Sequence, residues 1–155
     1  MKMRLIPLTK GQSAIVDDQD YADLSQFKWY AHWDHGTNAF YAQRGVKLPN
    51  GKWTVELMHR RILGLKHGDK RQGDHIYHQT LDNRRCMIRI VTKSQNQHNQ
   101  QNRKGYYFDK KSRKYRAEIR VNGALQRLGR YKTPAEAKAI YLVAKAIYHP
   151  SAPAL

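Results

Sequence analysis

Apolar and polar positions alternate in short runs over the first 65 residues, a pattern that is typical of β-strands. Residues 3–18 predict two short strands around a Lys-Gly turn. Residues 17–27 predict a capped short helix with acidic residues in its first turn. Residues 28–65 predict three strands interrupted by DHGTN and LPNG, and residues 56–63 begin a further short helix. The apolar residues of this part suit a small sheet with one packed face: Trp29, Trp33, Phe40, Trp53, Val55 and Leu57.

Two more strands, at residues 73–78 and 86–91, flank the turn sequence TLDNRR. A polar helix follows at residues 92–102, and Thr92 or Ser94 can cap its N-terminus. The end of this helix is rich in glutamine and asparagine, so it can also act as a linker. We therefore place a domain boundary near residue 102.

The last third of the chain has a different rhythm, with a sheet followed by a helix. Asn122-Gly123 is a strong tight-turn pair within the predicted sheet. Three antiparallel strands are predicted at residues 104–111, 114–123 and 124–132. The helix is predicted at residues 133–149, with Thr133 as N-cap and Glu136 completing a capping box. Its apolar stripe is predicted to contain Ala137, Ile140, Tyr141, Ala144 and either Ile147 or Tyr148.

These elements predict the α+β fold class. Residues 1–102 are expected to hold a small N-terminal sheet region and a strand-turn-strand-helix core. Residues 103–155 are expected to form a three-stranded antiparallel sheet packed on one helix.

Charge is the strongest global feature of the sequence. The 155 residues include 29 Lys and Arg against 12 Asp and Glu, a formal net charge of +17. Residues 1–102 carry 16 basic against 9 acidic side chains (+7), and residues 103–155 carry 13 against 3 (+10). Such an excess repels itself, so a polyanionic partner, double-stranded DNA, is expected along a whole surface. The alternative is a basic surface that is merely solvated.

Several classes of protein are excluded. Cys86 is the only cysteine, which excludes a disulfide framework and a four-cysteine zinc site. No apolar run is long enough to span a bilayer, and the N-terminus has no signal-peptide pattern. We expect no membrane partner and a reducing cytoplasm as the location.

The hairpin and polar helix contain residue types that metal-assisted phosphodiester hydrolysis needs. Asp74 and His75 are adjacent on one strand, so they point to opposite faces unless the backbone bends. Asn96, Asn99 and Gln100 share one helix face, from which an amide can lie beside Asp74. Carboxylate and amide oxygens suit Mg²⁺, and a neutral histidine can accept a proton from water. A polar hairpin with incidental side chains remains the alternative.

The stretch GDHIYHQTLDNRRCMIRIVTKSQNQHN, residues 73–99, resembles the HNH motif of phage and intron-associated homing endonucleases. Asp-His on a strand, Leu-Asp-Asn-Arg in a turn and Ser-Gln-Asn in a helix follow in the order and spacing of that family. MHRRILGL at residues 58–65 and the sheet at residues 4–33 also resemble it. The resemblance implies a ββα-metal core and a DNA endonuclease encoded by a phage or mobile element, acting in the cytoplasm of a bacterial host.

The resemblance also implies roles for single residues. Asp74 and Asn96 are implied as ligands of one divalent ion, Mg²⁺ or alternatively Mn²⁺, with no zinc site. His75 is implied as the general base that activates the attacking water. The implied supporting residues are Asn83, Asn99 and His98. Arg84, Arg85 and Arg89 are candidates for holding flanking phosphates, and a solvated or core-bracing role is equally open for them. His59 is expected to be structural or to contact a phosphate.

Three positions depart from the pattern of the family. Met87 replaces the usual middle Asn, which helps to orient the base, and methionine cannot supply a strong hydrogen bond. Tyr77-His78 replaces the usual Asn-Gly, and Gly73 replaces an apolar residue. The ligands and the base are retained, so we expect weakened activity, with Asn83 or Gln79 taking over the supporting role.

The C-terminal sheet contains a candidate DNA-reading face. Strand alternation in RAEIRV places Arg116, Glu118 and Arg120 on one face and the apolar residues on the other, under the helix. Residues 104–149 resemble the plant ethylene-response-factor (APETALA-type) DNA-binding domain, through RAEIRV, LGRY and TPAEAKAIYLVA. The resemblance implies a sheet that enters the major groove. The implied readers are Arg116, Glu118, Arg120 and Arg127, followed by Lys110, Ser112 and Arg130. Lys111, Arg113 and Lys114 are expected to contact phosphates.

Together these features predict a metal-dependent HNH homing-type endonuclease that binds duplex DNA as a monomer and nicks one strand. A decayed, non-catalytic DNA-binding protein is the main alternative, with Met87 in its favour. A basic phage inhibitor of an acidic protein and an RNA-binding protein are weaker alternatives.

Overall fold

The computed structural model describes residues 2–99 and 103–149, which form a mixed α+β protein of small antiparallel sheets and a few helices. The predicted fold class is therefore confirmed. The chain divides into two compact units between Lys93 and Ser94. The predicted boundary, residue 102, lies outside the described residues, and most of the polar helix belongs to the second unit. Among the described residues, no helix combines the length and apolar character needed to cross a membrane.

The first hairpin and its helix form where the sequence predicts them. β1 Met3–Pro7 pairs antiparallel with β2 Ser13–Asp17 across a Lys-Gly turn, and α1 Asp18–Leu24 follows directly. The prediction of a side-chain cap is wrong. The Asp17 carboxylate instead accepts a 2.8 Å hydrogen bond from the backbone N–H of Arg85. This bond ties the start of α1 to a loop that lies far along the chain.

A three-stranded antiparallel sheet follows, in the order β3-β4-β5. Its strands are β3 Tyr30–Asp34, β4 Ala39–Lys47 and β5 Trp53–Leu57. One face is buried through Ala31 and Ala42. The prediction of a shared packed face is wrong for Trp53 and Val55, whose side chains are 73% and 51% exposed. Strand alternation places these two residues on the opposite face of the sheet.

α2 Met58–Ile62 leads from this sheet to a two-stranded hairpin, in which β6 Gln72–His75 pairs antiparallel with β7 Ile88–Val91. Both strands are shorter than predicted. α3 Lys93–His98 follows β7. Met58, Ile62 and Ile88 belong to the hydrophobic core of the first unit. The same core holds residues of the earlier elements: Ile6, Ala14, Val16, Leu24, Trp29 and Ala42. Burial in this common core fixes β6 and β7 relative to the preceding strands.

The second unit contains the predicted three-stranded antiparallel sheet, in the order β10-β9-β8, packed against one helix. Its strands are β8 Tyr106–Asp109, β9 Lys114–Val121 and β10 Ala124–Tyr131. Asn122 and Gly123 have φ values of 48° and 83°, the paired positive angles that a tight hairpin turn requires. The sequence therefore located this turn correctly.

α4 Pro134–Tyr148 begins with the predicted capping box, in which the side chains of Thr133 and Glu136 each bond to the backbone of the other. Its buried face packs on Ile119 through Tyr141 and Ala144. The predicted apolar stripe is wrong in part, because the helix turns three of its members outward. These are Ile140, Ile147 and Tyr148, all exposed.

Candidate active site

Asp74 and His75 end strand β6, and both side chains are buried. Asp74 lies opposite Arg89 in the register of the hairpin. The Arg89 Nε and Nη2 atoms are each 2.9 Å from Asp74 Oδ2, a charge-assisted pair. The predicted metal ligand is thus a buried carboxylate that a partly buried guanidinium neutralises.

Asn83 contacts the predicted base. His75 Nε2 lies 3.2 Å from Asn83 Oδ1, and the Asn83 side chain is only 1% exposed. Asn83 Nδ2 donates to the carbonyl of Leu81 at 3.1 Å, which orients the amide with its oxygen toward the imidazole. An amide oxygen only accepts hydrogen bonds, so Nε2 must donate. In the neutral ring the basic nitrogen is then Nδ1, the atom that can take a proton from water.

The loop that carries Asn83 is anchored to β2. The backbone N–H of Ile15 donates to Leu81 at 2.9 Å, and the backbone N–H of Asn83 donates to Ile15 at 2.8 Å. At the end of the same strand, Asp17 accepts from the backbone of Arg85. These long-range bonds hold the Asn83 amide in place, as a supporting residue requires.

Met87 is partly buried, and its backbone closes the hairpin. Its N–H donates to Arg84 at 2.8 Å, and its carbonyl accepts from Ile76 at 2.9 Å. A thioether in this place supplies no strong hydrogen bond to the histidine. Of the two substitutes that the sequence suggested, Asn83 has the contact with His75, while Gln79 is exposed.

Two further side chains surround His75. The rings of His59 and His75 meet edge to face, with centroids 4.7 Å apart and an interplanar angle of 69°. The Tyr41 ring lies 6.0 Å from His75 and 6.2 Å from His59. The sequence did not point to Tyr41, because β4 is far from the motif in the chain. His59 follows Met58 in α2, and both side chains are buried. In the sequence, its place on the apolar face of this helix was the only signal for its burial.

Burial sets the charge states in this cluster. Burial lowers the pKa of His59 to about 3, with smaller contributions from the charges of His75 and Arg60. Burial also lowers the pKa of His75, although the hydrogen bond that His75 donates to Asn83 and the charge of Asp74 act in the opposite direction. Both imidazoles are therefore neutral near pH 7, the state in which histidine acts as a base.

The three arginines expected to hold phosphates are engaged by carboxylates. Arg84 pairs with Asp82 at 2.6 Å, and Arg85 pairs with Asp20 at 2.7 Å. Arg89 pairs with Asp74 as described above. These contacts favour the core-bracing alternative, while phosphate binding stays a prediction.

The remaining predicted residues of the nuclease site lie in the second unit. Asn96 is partly buried on α3, and Asn99 is buried just after that helix. His98 stacks on His149, with centroids 3.5 Å apart and planes within 5°. The joint role of Asn96 and Asp74 stays a prediction.

The donor chemistry of the proposed metal site fits a hard cation. The carboxylate of Asp74 and the amide oxygen of Asn96 are the oxygen donors that Mg²⁺ prefers. Within residues 2–99 and 103–149, no three His, Cys, Asp or Glu side chains form a group that would hold a metal ion. The two predicted ligands, one carboxylate and one amide, are not a group of this kind, and metal binding by them stays a prediction.

One face of the second sheet carries the predicted DNA-reading residues. Arg127 lies opposite Glu118, and Arg130 lies opposite Arg116, so residues from two strands share this face. Tyr107 of β8 adds an aromatic ring, and its hydroxyl accepts from Arg116 Nη1 at 2.8 Å and lies 3.3 Å from Glu118 Oε1. The sequence did not identify Tyr107. The pairing of the strands brought it to the face.

The other predicted contacts of this sheet lie at its turns. Arg120 Nη1 donates to the carbonyl of Gly123 at 2.6 Å. Ser112 Oγ donates to Asp109 Oδ2 at 2.9 Å, and Arg130 Nε lies 3.7 Å from the same carboxylate. Lys110 is exposed at the turn between β8 and β9. The face is therefore preorganised by local bonds, with Arg127 and Lys110 exposed.

Comparisons of the chain with models of protein families, with curated proteins and with solved structures found no match.

Proposed function

We propose that the protein is a metal-dependent DNA endonuclease of the HNH homing type. The observation that carries the proposal is the buried Asp74-His75 pair, in which Asn83 fixes the Nε2–H tautomer of His75. This arrangement supports a base at Nδ1 of His75, with a hard oxygen donor at the preceding position of the chain. The net charge of +17 supports nucleic acid as the substrate.

The proposed chemistry assigns each residue one task. His75 Nδ1 accepts a proton from the attacking water, and Asn83 keeps the ring in the productive tautomer. Asp74 and Asn96 would hold Mg²⁺, with Mn²⁺ as the alternative. When bound, the ion supplies positive charge that stabilises the phosphate and the leaving 3′-oxygen. One such site in one chain cuts one strand, so a monomer nicks duplex DNA.

The second unit is proposed to bind the duplex through its arginine-bearing sheet face. The outward side chains of β9 and β10 can reach base edges in the major groove, where arginine pairs bidentately with guanine. Turn lysines and arginines would neutralise phosphates. The sheet of this unit then supplies sequence recognition and affinity, and His75 of the first unit supplies the base for the cut.

The test is conversion of supercoiled plasmid to the open circle with Mg²⁺ or Mn²⁺. Wild type and His32→Ala, a matched change at an exposed strand histidine, are expected to nick at equal rates. His75→Ala is expected to lose at least about 100-fold, since removing a general base typically costs that much. Equal rates for wild type and His75→Ala would exclude the proposed base.

A non-catalytic DNA-binding protein is the second candidate, and the Arg89–Asp74 pair favours it. A guanidinium that occupies Asp74 Oδ2 competes with a metal ion for the carboxylate. Metal titration of the DNA-bound protein separates the two functions. If the protein is an endonuclease, we expect saturable Mn²⁺ binding that Asp74→Asn abolishes. If it is a non-catalytic binding protein, we expect Mn²⁺ binding to be the same in wild type and in this variant.

A further inference from the structure

His59 is a buried imidazole that the proposed reaction does not use. Its side chain is 4% exposed, and its ring meets the ring of His75 edge to face at 4.7 Å. Tyr41 approaches both rings from β4. The His59 and Tyr41 rings pack against the imidazole of His75, so they limit the directions that this ring can take.

Gly73 makes room for the His59 ring. A Cβ atom at this position would lie 2.4 Å from His59 Cδ2 and 3.1 Å from His59 Nε2. It would also lie 3.2 Å from the Cδ1 atom of Leu63. Gly73 does not have a positive φ, so its backbone conformation is open to any residue. The space taken by the imidazole is therefore what requires glycine beside Asp74.

We infer that His59 is a positioning residue for His75, and that Gly73 is the glycine that admits it. The inference rests on the proposed function, because it assigns His75 the role of base. The His59 ring prevents the His75 ring from rotating away from the direction that Asn83 sets. Both rings are neutral near pH 7, so the contact involves no repulsion between like charges.

The geometry predicts a specific coupling between two variants. His59→Ala is expected to lower kcat for plasmid nicking by about 10- to 100-fold, the usual cost of losing a supporting residue, with KM for DNA unchanged. Gly73→Ala is expected to cost a similar factor, because the added methyl group displaces His59. In the His59→Ala background, Gly73→Ala is expected to add less than about 2-fold, since the obstructing ring is gone.

Gly45→Ala is the matched control. Gly45 is also a strand glycine, but the nearest atoms to its added Cβ, in Trp53, lie 3.7 Å away, an ordinary contact. This variant is expected to nick like wild type. If Gly73→Ala is equally harmful with and without His59, the coupling is absent and the inference is wrong. His59→Gln provides a second variant of the same position, with the same expected loss, if His59→Ala does not fold.

The ¹⁵N resonances of the His75 ring provide a readout that does not depend on cleavage. Wild type is expected to show the Nε2–H tautomer alone, and His59→Gln is expected to show a tautomer mixture or line broadening. Identical His75 signals in the two proteins would overturn the positioning role. If wild type does not nick DNA at all, the proposed function fails, while these spectra still decide whether His59 orients His75.

Discussion

Acidification is expected to destabilise the protein through His59. The imidazole is buried, and burial lowers its pKa to about 3 from the usual 6.5. Below pH 6.5 the unfolded chain binds a proton at this histidine that the folded chain does not bind. Proton binding therefore lowers the free energy of the unfolded state relative to the folded state, and stability falls as the pH decreases from 6.5 toward 3.

The size of the effect follows from the pKa difference. At pH 5 the unfolded histidine is protonated and the folded one is neutral, over a span of about 1.5 pH units. At about 1.4 kcal/mol for each unit, this span lowers the free energy of unfolding by about 2 kcal/mol. A domain is stable by about 5–15 kcal/mol, so the loss is measurable.

Urea unfolding at pH 7 and pH 5 measures the effect. Wild type is expected to lose about 2 kcal/mol more than His59→Gln between the two pH values, because the variant lacks the buried titrating group. His32→Gln, at an exposed histidine, is expected to follow wild type. Titration of His75 and the acidic residues is common to all three proteins. An equal loss in wild type and His59→Gln would refute the assignment of the effect to His59.

Three further predictions concern the candidate site and the sheet face. Asn83→Ala leaves buried partners unsatisfied, so urea unfolding is expected to show a loss of about 1–3 kcal/mol, and plasmid nicking a loss of about 10- to 100-fold. Nicking within about 2-fold of wild type would contradict this role. Arg89→Met is expected to tighten Mn²⁺ binding in calorimetry and to cost about 3 kcal/mol of metal-free stability, because Asp74 loses its counter-charge. Unchanged Mn²⁺ affinity would show that the ion pair does not compete with the metal. Arg127→Ala is expected to weaken DNA binding in fluorescence anisotropy by about 1–3 kcal/mol, whereas Lys138→Ala, on α4, changes it little. Equal losses would indicate a general charge effect.

Local sequence signals predicted the parts of the fold that depend on neighbouring residues. Asn122-Gly123 requires positive φ at two successive positions, which few other pairs tolerate. Thr133 and Glu136 satisfy each other across one helical turn. The strict alternation in β9 put Ile119 under the helix and Arg116 on the opposite face. Each of these outcomes follows from a few adjacent residues.

The features that the sequence did not predict depend on contacts between distant segments. Aspartate is a residue type that commonly caps helices, but the Asp17 carboxylate instead accepts a hydrogen bond from the backbone N–H of Arg85, in a distant loop. Trp53 is apolar, yet the register of β4 and β5 turns it away from the core. The cluster around His75 joins β4, α2 and β6, and no local pattern encodes that Tyr41 or His59 lies there.

The supporting role of Asn83 lies between these cases. The sequence suggested it as one of two substitutes for the missing Asn at position 87. In the structure, its contact with His75, on a loop anchored to Ile15, distinguishes it from the exposed Gln79. The chemistry of the side chains was thus enough to name Asn83 and Gln79 as candidates, and the choice between them required the fold.

Mapping nicks at single-nucleotide resolution on genomic DNA, with wild type against His75→Ala in Mg²⁺, decides whether the protein cuts DNA with His75 as its base. Wild type is expected to make discrete nicks with 3′-hydroxyl ends, and His75→Ala is expected to make none of them. The same set of nicks with both proteins, or none with either, would contradict the claim that His75 is the base of a DNA endonuclease.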